Sequence, residues 1–73
     1  MTKILIVDDV ELFLELEKSF LDELGYEVLM ARSGEEALEL VASESPDLML
    51  LDMYMSGIDG DEVCRRLRAE EQW

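Results

Sequence analysis

Three aspartates stand where their positions could do chemistry. Asp52 closes the apolar run Leu48-Met49-Leu50-Leu51, which Pro46-Asp47 launches, and Asp8-Asp9 close a second run, Ile4-Leu5-Ile6-Val7. A short apolar run bounded by turn residues reads as a strand buried on both faces. Parallel sheets set their chemistry just beyond the carboxyl ends of such strands. If the two strands are neighbours, all three carboxylates meet at one edge of the sheet. Taken singly, Asp9 reads as a helix N-cap and Asp8 and Asp52 as turn formers. Taken together they repel, so either some stay protonated or a cation neutralises them. An all-oxygen donor set suits a hard cation, and few carboxylates plus waters suit Mg²⁺ over Ca²⁺. A carboxylate beside such a metal can also accept a phosphoryl group as an acyl phosphate.

The elements that must hold these residues follow from the spacing. Ile4–Val7 is a strand. From Val10 to Leu24 the apolar period becomes helical, with Phe13, Leu16, Phe20 and Leu24 as the stripe and Leu12, Leu14 and Leu21 widening it. Glu11, Glu15, Glu17, Lys18, Asp22 and Glu23 fill the other face, and Gly25 sits where a left-handed cap is needed. Tyr26–Ala31 is a second strand. Ser33 and Glu36 form a capping box for a helix that buries Ala37, Leu38 and Val41 and ends around Ser43–Ser45. After the strand ending at Asp52, Asp59 and Glu62 repeat the capping pattern for a third helix with Val63, Cys64 and Leu67 inward. Asp61–Arg65 and Glu62–Arg66 are expected i,i+4 ion pairs. Strand and helix alternate three times with short connections, which implies parallel strands and right-handed crossovers.

Bulk properties exclude several function classes. The chain has 73 residues with 19 acidic and 6 basic side chains, a net charge of −13. That charge disfavours nucleic acid and anionic membrane as partners, because both demand Lys and Arg against phosphates. There is no histidine and one cysteine, Cys64, so His-based zinc sites, Ser/Cys–His catalysis and an internal disulfide are all excluded. Cys64 reads as a small core residue. The first apolar run is too short for a signal peptide or a membrane span, so the expected location is cytoplasmic. A chain this size hides only ~60% of its unfolded surface, which leaves a marginal core.

These residues resemble the receiver domain of bacterial two-component response regulators. The matching pieces are Ile4-Leu5-Ile6-Val7-Asp8-Asp9, the helix start Ala31-Arg32-Ser33-Gly34-Glu35-Glu36-Ala37-Leu38, and Pro46 to Met55 with Asp59-Gly60. The resemblance implies an α/β, flavodoxin-like doubly wound parallel sheet, of which residues 1–73 carry the first three strand–helix units, a truncated receiver. It implies Asp52 as phosphoacceptor from a histidine kinase, with no enzymatic role beyond that transfer. It implies Mg²⁺ held by Asp9 and Asp52, by the Tyr54 backbone carbonyl, and by Asp8 through a bound water. Ser56 stands where the family usually has Pro. Receivers order their strands 2-1-3-4-5, and the Ser/Thr and Lys at the ends of strands four and five have no counterpart in these residues. The third strand is then expected to be a bare edge that pairs antiparallel with a second copy, giving a homodimer. The competing reading is a half-domain assembly scaffold without signalling. A haloacid-dehalogenase-type phosphatase would want a second Asp two residues after Asp52, and a flavodoxin-type FMN site would want a Ser/Thr/Gly-rich loop at Asp8-Asp9-Val10-Glu11.

Overall fold

The computed structural model describes residues 1–53 and 55–70. Its elements are β1 (Lys3–Val7), α1 (Glu11–Glu23), β2 (Glu27–Ala31), α2 (Gly34–Glu44), β3 (Leu48–Leu51) and α3 (Gly60–Ala69). The three strands form one parallel sheet in the order β2-β1-β3. In register, Ile4 lies beside Val28 and Leu48, and Val7 beside Ala31 and Leu51. The central strand therefore ends level with both neighbours, and the residues after β1 and β3 emerge at the same edge.

Alternation of side chains across β1 divides the core in two. Leu5 and Val7 pack beneath α2 and α3 with Ala37, Val41, Val63 and Leu67. Ile4 and Ile6 face the opposite way, toward Leu14 of α1. The sheet is doubly wound, as the alternation of elements predicts.

The helix ends follow the sequence signals closely. At the end of α1, the Gly25 N–H donates to the Asp22 carbonyl (3.0 Å) and the Tyr26 N–H to the Leu21 carbonyl (3.2 Å), with Gly25 at φ +88°. This is a Schellman cap, which requires the left-handed residue that glycine supplies without steric cost. The Ser33 hydroxyl accepts the Glu36 N–H (3.1 Å), and Glu36 reaches back to the Arg32 N–H (3.2 Å). Asp59 accepts the Glu62 N–H (3.0 Å) in the same way.

Four expectations change. The N-cap of α1 is Val10 rather than Asp9, and Val10 has no side-chain cap. The α1 stripe faces solvent instead of the sheet. Phe13, Leu16, Phe20 and Leu24 are 51–64% exposed, and Leu14 is the helix's only fully covered residue. The helix has two adjoining apolar rows, and the sheet takes the one through Leu14 and Leu21. The apolar run of β3, which by itself reads as buried on both faces, lies instead at the sheet margin, as the strand order implies, with Leu48 and Leu50 47% and 42% exposed. Arg65 pairs with Glu62 (3.3 Å) rather than Asp61, while the expected Glu62–Arg66 pair forms at 2.9 Å. Cys64 is half-buried.

Candidate functional site

Asp8 is the first residue beyond β1, and its backbone still follows the sheet, donating its N–H to the Ala31 carbonyl (3.1 Å). Its Oδ1 accepts the Val10 N–H (3.0 Å), a short Asx turn that swings the chain into α1. Only 9% of Asp8 is exposed. Asp9 is exposed and turned across the sheet edge, where its Oδ2 accepts the Ser56 N–H (3.2 Å) and hydroxyl (3.4 Å). Asp9 thereby ties the β3–α3 loop to the end of β1. Asp52 leaves β3 with its N–H donated to the Val7 carbonyl (3.0 Å).

One carboxylate oxygen from each of Asp8, Asp9 and Asp52 lies within 4.8 Å of the other two. Asp52 lies 43 and 44 positions beyond Asp9 and Asp8 in the chain, and the parallel β1–β3 register brings the three together. A cation bound between them would face only hard oxygen donors, the set Mg²⁺ prefers. Tyr54, the remaining expected ligand through its backbone carbonyl, lies outside the described residues.

The loop that closes the site depends on a close approach. The Gly60 N–H contacts the Met53 carbonyl (3.4 Å), and a Cβ on Gly60 would sit 2.6 Å from the Met53 sulfur and 2.9 Å from the Asp52 carbonyl oxygen. Any side chain there would push the first turn of α3 away from Asp52. On the far side of Asp8, the Arg32 guanidinium grips Glu11 through two hydrogen bonds, 2.6 and 2.8 Å, fastening the start of α1 to the end of β2. That bond, and then the Arg32 charge, hold the Glu11 carboxyl below its ordinary value.

Two residues near the site carry more weight than their sequence pattern indicates. Glu17, expected on the outer face of α1, lines an open cleft with Asp8 and Asp52. Partial burial, then the charges of Asp8 and Asp52, push its carboxyl up. The signal was present in the period: Glu17 is three residues from Leu14, on the row that meets the sheet. Ser56 grips Asp9, a role visible only once β1 and the β3–α3 loop are adjacent.

Comparison with known proteins places this arrangement. The family model for the response regulator receiver domain matches residues 4–73. The chain belongs to the response regulator receiver family. Among curated receivers it is 45% identical over 69 residues to the alkaline phosphatase synthesis transcriptional regulatory protein PhoP of Bacillus subtilis, covering 94% of this chain and 29% of that protein. It is 46% identical over 67 residues to the response regulator MprA of Mycolicibacterium vanbaalenii, with 92% and 29% covered. Among solved structures it superposes on the response regulator TrrA of Thermotoga maritima, determined in complex with Mg²⁺-BeF, with a TM-score of 0.92 at 44% identity. That match covers 99% of this chain and 63% of TrrA. A receiver domain from Methanoculleus marisnigri gives 0.95 at 36% identity, with 99% and 58% covered. The chain thus spans less than a third of the curated relatives and about three fifths of the solved receiver chains.

The receiver fold expected from the sequence is therefore the one observed: parallel strands, helices on both faces, and a sheet order consistent with the flavodoxin-like class. No helix among the described residues is long and apolar enough to cross a membrane.

Proposed function

We propose that this receiver is a phosphoacceptor module of two-component signalling, with Asp52 as the residue that takes the phosphoryl group. The observation that carries this is the convergence of the Asp8, Asp9 and Asp52 carboxylates within 4.8 Å at the ends of adjacent parallel strands. Asp9 and Asp52 would hold Mg²⁺ directly, with Asp8 acting through water and the Tyr54 backbone carbonyl as a further oxygen donor. When bound, the metal screens the negative phosphoryl oxygens from the carboxylates. The donor is a phosphohistidine of a histidine kinase. An Asp52 oxygen attacks phosphorus, a P–O bond forms as the P–N bond breaks, and the imidazole nitrogen keeps the electron pair. The product is an aspartyl phosphate, so the domain is regulatory and its own chemistry ends at transfer and hydrolysis. Such a module works in the cytoplasm.

The chain's residues divide the work. Asp8 is fixed by its own turn with Val10, and Asp9 by Ser56, so neither carboxylate has to be ordered when the cation arrives. Gly60 keeps the loop low over Asp52.

The test is incubation of the purified chain with Mg²⁺ and a small acyl phosphate, followed by peptide mass spectrometry. The expected result is a phosphoryl group on the peptide containing Asp52, lost without Mg²⁺ and lost in Asp52→Asn. A phosphoryl group on another aspartate, or none on a folded chain, overturns the assignment.

A second reading is favoured by one specific observation. The β3 edge is apolar and open, with Leu48 and Leu50 more than two-fifths exposed. An uncovered edge is a template for strand addition. On this reading residues 1–73 form a homodimer through β3 and serve as an assembly unit.

A further inference from the structure

The two oxygens of Asp9 are not equivalent. Oδ2 accepts both the Ser56 N–H (3.2 Å) and the Ser56 hydroxyl (3.4 Å). The N–H is the stronger donor, since 3.2 Å is within the ordinary range for nitrogen and 3.4 Å is long for a hydroxyl. Ser56 cannot follow a movement of Asp9 freely. Met55, just before it, is buried in the core beneath α2 and α3, and Ile58, two residues on, packs against the same core. The donors are held by the loop, and the carboxylate comes to them.

An ionised carboxyl group has about four lone-pair directions, two on each oxygen. Two donors therefore fill Oδ2 of Asp9. Asp8 is treated in a similar way, with its Oδ1 accepting the Val10 N–H (3.0 Å). Both residues that follow β1 thus commit an oxygen to the protein's own backbone. A cation among the three carboxylates, which bring one oxygen apiece within 4.8 Å of the others, is offered a single unfilled oxygen by Asp9.

That number separates hard cations. Ca²⁺ takes about six to eight oxygens in flexible geometry and readily draws both from one carboxylate. Mg²⁺ is smaller, demands an octahedron, and keeps several waters beside one or two carboxylates. Withholding an oxygen removes a ligand that Ca²⁺ would use and Mg²⁺ would not.

We propose that Ser56 is a positioning residue that sets cation specificity: by filling Oδ2 of Asp9 it keeps Asp9 a one-oxygen ligand and favours Mg²⁺ over Ca²⁺. This role rests on the reading of Asp8, Asp9 and Asp52 as a cation site, and adds a residue that acts on the cation only through Asp9. A threonine at position 56 retains both donors, an alanine retains the N–H alone, and a proline retains neither.

The test is titration of the purified chain with magnesium chloride and, separately, calcium chloride, followed by amide NMR spectra. The quantity read is the ratio of the Ca²⁺ Kd to the Mg²⁺ Kd. In Ser56→Pro this ratio should fall about fivefold, the scale of a lost hydrogen bond to an exposed carboxylate. It should fall less in Ser56→Ala and hold at the wild-type value in Ser56→Thr. The wild-type chain supplies a second readout that does not depend on the proline variant folding. Its Ser56 amide should exchange slowly with solvent in Mg²⁺ and faster at saturating Ca²⁺, as Asp9 turns its second oxygen to the larger ion. An unchanged ratio in a Ser56→Pro chain with a dispersed spectrum, or a Ser56 amide equally protected by both ions, overturns the role of Ser56 and leaves the cation site standing. A folded wild-type chain that binds neither ion overturns the cation site and this role with it.

Discussion

On the α2–α3 side of the sheet, Leu5 and Val7 lie under Ala37, Val41, Val63 and Leu67, all at most 5% exposed. On the α1 side, Ile4 and Ile6 meet a single fully covered residue of the helix, Leu14. Yet α1 carries both phenylalanines of the chain, and Phe13, Leu16 and Phe20 lie bare beside Leu14, as does Leu24 just past the helix end. Burial is decided by what stands opposite a side chain, not by how hydrophobic it is. The α2–α3 side is packed by two helices on residues from all three strands, and α1 alone covers the other side. The bare apolar row and the bare β3 edge both lie where no further element of the described residues reaches.

Substitutions on α1 break this comparison most sharply. Leu14→Ala should cost about 2–5 kcal/mol in urea unfolding, as a cavity beneath a packed helix does. Leu16→Ala, with 61% of the residue already in water, should stay within about 0.5 kcal/mol. Equal costs would mean that the outer row is covered in solution.

A smaller effect sharpens the electrostatic side. The Glu11 carboxyl is held below its ordinary value of 4.5 by Arg32. A lowered acid stabilises the fold above that value and loses its contribution as pH falls through the lowered one. Arg32→Gln should therefore be less stable than wild type at neutral pH, and the gap should close on acidification below 4.5. Denaturation midpoints across that range decide it; a gap that persists in acid would mean Arg32 acts through packing.

The smallest expected effect concerns Glu17, whose carboxyl is raised by partial burial and by Asp8 and Asp52. Here the sign reverses. The folded state favours the protonated form, so stability is full at low pH and falls as pH rises through the raised value. Glu17→Gln should be slightly more stable than wild type at neutral pH, with an advantage that shrinks when Mg²⁺ is added. A loss of stability would show that the Glu17 charge is compensated in the fold.

Much of this was legible in the sequence because it is local. Ser33 and Asp59 cap their helices as their spacing announced, and Gly25 takes the left-handed cap. The acid cluster was legible too, since strand ends and crossover rules bring Asp8, Asp9 and Asp52 together without long-range detail. What was misread depends on partners far away in sequence. The α1 helix offers two apolar rows of similar strength, and periodicity cannot say which one the sheet takes. The continuous apolar run of β3 is the same signal as that of β1, but one strand is central and the other marginal. Taken singly, Asp9 fits a cap because the pattern before α1 allows one, whereas its hydrogen bond to Ser56 spans 47 residues and leaves no local signal.

The most direct test of the central claim is a two-dimensional amide spectrum of the purified chain with and without millimolar Mg²⁺. If the three aspartates form a metal site, dispersed peaks should move at Asp8, Asp9, Asp52, Met53, Met55 and Ser56, with α2 and the far ends of the strands unchanged. A dispersed spectrum indifferent to Mg²⁺ would contradict the account and leave the carboxylates as turn formers and loop ties.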